Sequence, residues 1–365
     1  MMRLATLSAA VLLGTSALAI ASPPYPQSSA ITGITWHPET ALPRGEGSNP
    51  AFGSDQFRCT WADDDKLYVG WGDGGGFGGS NTSGRVSFGV GKISGTPPVW
   101  SGQNVWGGIN DLSTQPNIDG KPDGLLAIGS TIYVWAEKEG TWDRSRILRS
   151  SDHGLTWSIG DFIFTDGRQT FTPIQFGKAY AGVPANLTGY VYGYLREVIS
   201  QGLALARVPT NQIETAASYE YFAGLVGGQP TWSSNFASAV VVFADAVNGV
   251  NWGWQPTYLI SQHKFILTVT HGGNGEGPGL GVFEADQPWG PWHTVYFSDQ
   301  WLDPMNKFTV QFTNKWANPD GTGWVIYSGW PEYDGYFHIA YTLLLGNQGQ
   351  TPPAPTGLRR VDRKP

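Results

Sequence analysis

A two-strand unit recurs five times along this chain, and that repetition limits the fold more than any other feature of the sequence. Each copy has two short apolar segments joined by a polar turn. The copies occupy residues 55–73, 123–137, 172–197, 255–271 and 309–330. Their spacing suits four-stranded blades with variable loops, so it predicts an all-β chain, a single-domain five-bladed β-propeller. A six-bladed propeller with one degenerate blade is the alternative, because the interval between the third and fourth copies is long.

The composition excludes several other classes of protein. The chain has 365 residues, of which 50 are Gly and 25 are Pro, and only 14% are charged. Coiled coils and helical bundles need far more Ala, Glu, Lys and Leu. Aromatic residues make up 13% of the chain, which is ample for a core and excludes a disordered protein. A net charge of −7 without a basic run argues against nucleic acid as a partner.

The two ends of the chain are expected to lie outside the propeller. Residues 1–21 combine Arg3, an apolar run and a small-x-small cleavage site, which is the pattern of a secretory signal peptide. The rest of the chain is predicted to divide into three parts. These are an extended lead-in at residues 22–49, the propeller as catalytic domain at residues 50–345, and a Pro/Gly-rich, basic tail at residues 346–365. No later apolar stretch has the length of a membrane span. The sequence thus predicts a secreted, extracellular monomer without membrane contact after cleavage, with glycosylation motifs at Asn81 and Asn186.

One local motif supports the propeller. Residues 150–157 read Ser-Ser-Asp-His-Gly-Leu-Thr-Trp and fit the Asp-box pattern S-x-D-x-G-x-T-W of sialidase-like blades. Asp152 is expected to accept the hydrogen bonds that close the turn, and Trp157 is expected to pack beneath it. The motif is therefore interpreted as a folding element and not as a site.

The ends of the paired strands carry the residues that suit chemistry. In a propeller, the first strand of each unit begins and the second strand ends at one mouth of the central channel. Glu137 ends the second strand of the second unit, and the other carboxylates at such positions are the catalytic candidates Asp55, Asp73, Asp123 and Glu197. Hydrolysis of a glycosidic bond needs one protonated carboxylic acid and one ionised carboxylate. Converging carboxylates therefore predict a glycosidase.

Three of the candidate carboxylates also have a purely structural interpretation. Asp73 lies in a run of glycines, where a ligand can approach closely, but it can also hydrogen-bond only its own loop. Asp123 can tune the pKa of a neighbour by charge repulsion, or it can belong to an ordinary Lys-Pro-Asp-Gly turn. Glu197 beside Arg196 is either an acid held by a cation or half of a surface ion pair.

Several other strand-end residues are candidates for contact with a substrate. Most tryptophans in a propeller fill the space between blades, but those at the channel mouth can stack on sugar rings. Two of the four tryptophans near strand ends are expected to be exposed, the four being Trp71, Trp252, Trp254 and Trp330. The predicted substrate-binding residues are Trp71, Arg196, Trp254, His271 and Trp330. A loop hydrogen bond is the structural interpretation of His271.

The sequence offers no cofactor site. The six histidines lack H-x-x-x-H or related spacing, so no metal ligand is assigned and no transition metal is expected. A structural cation in the channel is compatible with the fold. Cys59 is the single cysteine, and the chain has no G-x-S-x-G motif, so the sequence supports neither a cysteine nor a serine nucleophile. The Gly-rich stretches do not open a helix, which excludes a phosphate-binding loop.

Five segments, residues 54–65, 72–74, 88–98, 176–182 and 205–209, together resemble a broad family of secreted propellers long labelled a domain of unknown function. The resemblance covers residues 50–345. Some bacterial relatives are endo-D-arabinanases, which are inverting glycosidases with a five-bladed propeller. The resemblance implies that Asp55 and Asp73 are the catalytic pair. The Gly-rich continuation after Asp73 departs from these relatives, so the resemblance does not extend to their substrate.

A more distant resemblance leads to a different assignment. In propeller arabinanases and xylosidases, the base, the residue that tunes a pKa and the acid come from the first three blades. The matching positions here are Asp55, Asp123 and Glu197, and the correspondence is an analogy of fold. Both resemblances include Asp55, and they disagree about the acid.

The sequence therefore predicts a secreted glycoside hydrolase that cleaves a cell-wall or extracellular polysaccharide, and its partner is a polysaccharide or oligosaccharide. A polysaccharide lyase is one alternative, with His271 or Tyr194 as the base and Arg196 neutralising a uronate carboxylate. A carbohydrate-binding propeller without catalysis is the other.

Overall fold

The chain forms a ring of five antiparallel sheets around a central channel. The structure is a computed structural model, and it describes residues 22–165, 171–197, 202–273, 275–302, 306–330 and 335–346. The predicted signal peptide and nearly all of the predicted C-terminal tail lie outside these residues. The innermost strands of the five sheets contact one another in order around the ring. The predicted five-bladed β-propeller is therefore confirmed.

Four blades have four strands each, ordered from the channel outwards. Blade 1 contains β2 Asp55–Trp61, β3 Leu67–Gly72, β4 Gly89–Thr96 and β5 Val99–Trp106. Blade 2 contains β6 Lys121–Ile128, β7 Thr131–Glu137, β8 Ser145–Ser150 and β9 Ser158–Phe164. Blade 4 contains β16 Trp254–Leu259, β17 Lys264–His271, β18 Gly279–Ala285 and β19 His293–Ser298. Blade 5 contains β20 Asn306–Phe312, β21 Thr322–Trp330, β22 Phe337–Leu345 and β1 Ile31–His37.

Blade 3 holds the extra strands that fill the long interval between the third and fourth units. Its strands are β10 Thr172–Pro173, β11 Tyr190–Glu197, β12 Gly202–Pro209, β13 Glu220–Val226, β14 Gln229–Ser233 and β15 Val241–Ala244. One end of β12 pairs with β13 and the other end pairs with β15. The residues that a sixth blade would need thus belong to blade 3, which excludes the six-bladed alternative.

The described residues also contain short 3₁₀ helices in the connections between strands. These are Pro38–Thr40, Lys178–Tyr180, Ala185–Leu187, Ala216–Ser218 and Phe236–Ser238. Within the described ranges, no helix combines the length and the apolar character that a membrane crossing requires.

The hydrophobic core lies between adjacent blades. Large aromatic side chains from facing sheets meet edge to face or at a tilt, and burial of each one contributes roughly 1.5–3 kcal/mol. Pairs of this kind include Trp135 with Phe171, Tyr194 with Trp292, Trp301 with Tyr327, and Phe57 with Tyr336.

Polar side chains join neighbouring inner strands, whose channel-facing edges have no further strand to pair with. Gln311 of blade 5 spans Cys59 of blade 1, accepting from its amide at 2.7 Å and donating to its carbonyl at 2.9 Å. Between blades 1 and 2, the Thr60 hydroxyl accepts from the Ala127 amide at 2.9 Å. Gln175 of blade 3 donates to a carbonyl of blade 2 at 2.7 Å. These bonds satisfy buried backbone groups that would otherwise destabilise the ring.

The two ends of the described chain close the ring. β1 pairs antiparallel with β22, from Ile31 opposite Leu345 to His37 opposite Ala340, and so forms the outermost strand of blade 5. The residues of β1 belong to the segment 22–49, for which the sequence predicts an extended lead-in. This segment is therefore in part a strand of the propeller.

The Asp-box closes the turn between β8 and β9, at the channel end opposite to the start of β2. Asp152 accepts hydrogen bonds from the Thr156 amide at 2.9 Å and from the Thr156 hydroxyl at 2.6 Å. The buried Trp157 indole donates to the Gly154 carbonyl at 2.9 Å and stacks on Trp106, with ring centroids 5.5 Å apart. These contacts stabilise the turn and leave Trp157 no free face.

Candidate active site

The first strand of each unit begins, and the second strand ends, at the same mouth of the central channel. In blade 1, Asp55 pairs with the last residue of β3, so Asp55 and Asp73 lie at this mouth. In blade 2, Lys121 pairs with Glu137, which brings these two residues and Asp123 to the same mouth. Because blades 1 and 2 are neighbours, the five side chains form one group, which we call the carboxylate cluster. It contains three of the four predicted catalytic carboxylates.

Asp55 is the buried acid of the carboxylate cluster. It opens β2 with 4% of its surface exposed, and its Oδ1 has no hydrogen-bond partner among the described residues. Burial raises the pKa of Asp55 to about 7, the charge of Lys121 opposes this, and the charges of Asp73 and Asp123 add to it. A carboxyl group with this pKa stays protonated in weakly acidic solution and can donate a proton.

Lys121 is bonded to Asp73, and its charge also acts on Asp55. Its Nζ donates hydrogen bonds to Oδ1 of Asp73 and, at 3.2 Å, to the carbonyl of Ser87. Glu139 Oε2 lies 3.4 Å from the same nitrogen. Burial opposes the charge on Lys121, but Asp55 and Asp73 outweigh it, so the pKa of Lys121 is raised. The ammonium group of Lys121 therefore stays charged and lies against the Asp73 side chain.

Asp73 stands in the turn from β3 into the Gly-rich loop. Its backbone is left-handed, with φ 57°, which Asp tolerates better than most residues. Arg85 Nη1 donates to the Asp73 carbonyl, and Arg85 Nη2 is 3.7 Å from Asp73 Oδ1. The side chain of Asp73 is 37% exposed. The carboxylate cluster thus presents one buried acid, Asp55, and one solvent-facing carboxylate held by two cations.

A second carboxyl pair lies beside the first and is anchored by a buried arginine. Burial together with the charge of the neighbouring Asp123 raises the pKa of Glu137 to about 9, and the charge of Arg58 opposes this rise. Arg58 Nη2 is 3.4 Å from Asp123 Oδ1, and Nη1 donates to the Asp123 carbonyl and, at 3.2 Å, to the Thr172 hydroxyl. Arg58 thus puts a positive charge in the channel and links blades 1, 2 and 3.

A pocket of about 370 Å³ opens beside Asp73, between blades 1 and 2. Its volume is in the range of small-molecule sites. Its wall offers both hydrogen-bond donors and acceptors, which suits a ligand that carries several hydroxyl groups. The polar lining residues are Asp73, Arg85, Ser87, Asn117 and Asp119.

Three of the predicted substrate-binding residues are enclosed in the blades. Trp71 is fully buried, and its Nε1 donates to the Gly74 carbonyl at 3.3 Å. Trp254 is 3% exposed and His271 is 2% exposed. The His271 ring stacks on Phe297, with 4.3 Å between the ring centroids. Contrary to expectation, none of the three offers a surface to a sugar, because each side chain points into the packed interior of its blade.

The remaining predicted residues lie at the ends of β11 and β21. Arg196 is half-buried near the end of β11, and burial lowers its pKa. Glu197 and Trp330 are the last residues of β11 and β21, at the same mouth as the carboxylate cluster. Their side chains lie outside the part of the chain that the structure describes. Trp252, which lies two residues before the start of β16, is 47% exposed.

The cations of the site are the residues that the sequence analysis missed. Arg58, Arg85 and Lys121 hold the carboxylates, and Glu137 is noted from the sequence only as a strand end. Lys121 begins the first strand of the second unit, as Asp55 begins that of the first. That shared position is the signal by which Lys121 is recognisable.

At the opposite channel mouth, Asp63, Asp64 and His153 bring potential metal-ligand atoms within 4.8 Å of one another. Among the described residues this is the one such group. His153 Nε2 already lies 2.7 Å from Asp63 Oδ1. None of the residues of the carboxylate cluster belongs to it, so a cation bound there would not touch the candidate active site.

Comparison with known proteins identifies the fold. No protein-family model matches this chain, and no curated protein matches it. An α-L-arabinofuranosidase from Podospora anserina, solved in complex with cellotriose, superposes with a TM-score of 0.51 at 12% identity, covering 86% of this chain and 99% of that chain. A GH43 β-1,3-galactosidase gives a TM-score of 0.49 at 10% identity, covering 82% and 92% of the two chains. A β-xylosidase gives 0.49 at 9% identity, covering 84% and 96%. At such low identity, the likeness to the arabinofuranosidase is one of fold.

Proposed function

We propose that this protein is a secreted glycoside hydrolase, a monomer that cleaves a cell-wall or extracellular polysaccharide by carboxylate acid/base catalysis. The observation that carries the proposal is the arrangement of Asp55, Lys121 and Asp73. The solvent-facing carboxylate of Asp73 is bonded to the Lys121 ammonium group, and the charge of that group also acts on the buried carboxyl group of Asp55. Glycosidic bond hydrolysis requires such a pair in opposite protonation states.

Asp55 is the acid and Asp73 is the base in this proposal. The Asp55 carboxyl group gives its proton to the leaving-group oxygen as the bond from that oxygen to the anomeric carbon breaks. Asp73 takes a proton from a water whose oxygen forms the new bond to the anomeric carbon on the opposite face. Attack from the opposite face inverts the anomeric configuration. Asp123 supports the role of Asp55, because its charge adds to the rise of the Asp55 pKa.

The polar pocket beside Asp73 supports a glycan as the substrate. Its donors and acceptors suit the hydroxyl groups of one sugar unit next to the scissile bond. This choice of substrate class also agrees with the cellotriose bound to the arabinofuranosidase of similar fold.

The lyase alternative is weakened by the position of both of its predicted bases. The Tyr194 hydroxyl already donates to the Pro288 carbonyl at 2.5 Å. The His271 ring stacks on Phe297 in blade 4. A lyase base must reach the proton next to the uronate carboxylate, and neither side chain belongs to the carboxylate cluster beside the polar pocket.

The test is a panel of arabinan, xylan, arabinoxylan, β-glucan, galactan and pectin, incubated with the wild type and with Asp55→Asn. We expect new reducing ends from at least one polysaccharide with the wild type and almost none with the variant. Nuclear magnetic resonance of the first product should show an inverted anomeric centre. Ultraviolet absorbance of unsaturated uronates would identify a lyase instead. Binding by both proteins without any product would identify a non-catalytic propeller.

A further inference from the structure

An exposed indole stands at the channel mouth that holds the carboxylate cluster. Trp252 lies two residues before the start of β16 and is 47% exposed, whereas Trp254, the first residue of that strand, is buried. The backbone of Trp252 is fixed on both sides. Its carbonyl accepts from Arg58 Nη2 at 3.2 Å, and its amide donates to the Gly275 carbonyl at 2.6 Å. The indole is therefore exposed on a segment whose position is defined by hydrogen bonds.

One face of the Trp252 indole is covered by backbone. A Cβ atom on Gly275 would lie 3.0 Å from Cδ2, Cε2 and Cε3 of the indole. The glycine thus packs flat against the centre of the ring system, at a distance that no side chain would allow. Gly275 also has φ 108°, which glycine adopts without strain. Because Gly275 covers one face, the exposed surface of the indole is its other face and edge.

The same guanidinium group ties the indole to the carboxylates. Arg58 is 4% exposed, and its Nη2 bonds the Trp252 carbonyl while lying 3.4 Å from Asp123 Oδ1. One buried side chain therefore sets the position of the indole relative to the carboxylate cluster. The open face of Trp252 belongs to the mouth of the channel and not to the outer rim of a blade.

We propose that Trp252 is the stacking platform for one sugar ring of the glycan bound at the carboxylate cluster, with Gly275 as the backing of the platform. The inference rests on the proposed function and adds a substrate property, a pentose or hexose ring with an apolar C–H face. Such a face packs on an indole, while the hydroxyl groups at the ring edge stay free for polar residues.

The test measures binding apart from turnover. Asp55→Asn serves as the background, and the probes are short xylo-, arabino-, galacto- and cello-oligosaccharides titrated by calorimetry. Adding Trp252→Ala should raise the dissociation constant for the bound oligosaccharide by about tenfold, and Trp252→Phe should restore most of the affinity. The control is Trp61→Ala, which removes an indole at the opposite end of β2 and should leave the affinity unchanged.

Gly275→Ala provides a second, independent variant. Its Cβ would displace the Trp252 indole without removing it, so we expect weaker binding together with a changed near-ultraviolet circular dichroism spectrum. Unchanged affinity in a folded Trp252→Ala variant, or no binding of any probe, would overturn the platform. Hydrolysis with an unaltered KM in Trp252→Ala would reject the platform and keep the hydrolase. Binding that depends on Trp252, without hydrolysis of any probe, would keep the platform and reject the hydrolase.

Discussion

A Cβ atom on Gly72 would lie 2.7 Å from Oδ1 of Asp55. The same atom would lie 2.8 Å from Cδ and 3.1 Å from Nζ of Lys121. The lack of a side chain at the end of β3 is therefore what allows the buried carboxyl group and the ammonium group to come together.

Gly72→Ala should damage the candidate active site more than the fold. Both Asp55 and Lys121 must shift to admit the methyl group, and misplacing catalytic groups by about 1 Å can cost on the order of a hundredfold in turnover. Overpacking should also lower the free energy of unfolding by about 1–3 kcal/mol. Turnover and urea denaturation measure the two effects. Gly33→Ala is the control, because its Cβ meets only the flexible side chain of Leu344, at 3.2 Å. Wild-type turnover in folded Gly72→Ala would contradict the assigned contact.

Asp55→Asn and Asp73→Asn should each lower turnover by about 10²–10⁴-fold, because asparagine keeps the shape of the side chain and cannot exchange the proton. At about pH 3, the thermal midpoint of Asp55→Asn should change little, since the wild-type carboxyl group is uncharged there in the folded and in most of the unfolded chains. Both are measured on the polysaccharide identified by the panel. If Asp55→Asn kept most of its turnover, the acid would have to be sought at Glu137, Glu197 or Asp123.

The pH dependence of kcat/KM should report the proton on Asp55. Its pKa in the folded protein is raised to about 7, so kcat/KM should fall as the pH rises above this value. Lys121 lowers this pKa, so Lys121→Met should move the alkaline limb to higher pH. If the alkaline fall of kcat/KM occurred at the same pH in Lys121→Met as in the wild type, Lys121 would not influence the pKa of the catalytic acid.

The same raised pKa makes stability depend on pH. The folded pKa of Asp55 lies above its ordinary value of 3.8, so the unfolded chain loses this proton first. The contribution of Asp55 to the free energy of unfolding is complete below about pH 4 and is lost as the pH rises to about 7. The free energy of unfolding, measured by urea denaturation at several pH values between about 4 and 7, should therefore change less with pH for Asp55→Asn than for the wild type. Identical slopes would place the titrating group elsewhere.

Removal of the Arg58 guanidinium should destabilise the whole ring. Arg58→Met removes a buried guanidinium group that lies 3.4 Å from the Asp123 carboxylate, and breaking a buried ion pair costs about 3–5 kcal/mol. Arg58→Lys keeps the charge but not the fork of donors, so it should cost less. Arg58→Met combined with Asp123→Leu should recover part of the loss, as measured by urea denaturation. If Arg58→Met lowered the free energy of unfolding only as little as the loss of an exposed ion pair does, Arg58 would not be the link that stabilises the ring.

The sequence predicts the ring and the positions of Asp55 and Asp73 because both depend on one local rule. Two strands joined by a tight turn bring the chain back to its starting point, so both ends of the first unit reach the same mouth. It does not predict which strand-end side chains face the solvent. Trp71 lies inside β3, where side chains alternate between two packed faces, whereas Asp73 lies just beyond it in the turn.

Trp252 and Trp254 differ for a related reason. Trp254 is the first residue of β16 and is buried, while Trp252 lies just outside the strand and is exposed. The residue at which β16 begins therefore determines which tryptophan is buried. The sequence pattern of two tryptophans separated by one residue does not show where the strand begins. The contact between Lys121 and Asp73 joins two blades, and it depends on how those blades face each other, which no local pattern encodes.

Among the described strands, β1 is the first to be synthesised and its sheet partner β22 is the last. Ile31 and Ile34 are buried in the finished propeller, but they cannot be buried against β22 until the strands of the other four blades have been made. The sheets of blades 1 to 4 use strands close in sequence and can assemble as the chain emerges. Synthesis of β22 is then the event that converts a row of sheets into a ring. A chain that stops before β22 would leave open strand edges, which are templates for aggregation with other chains.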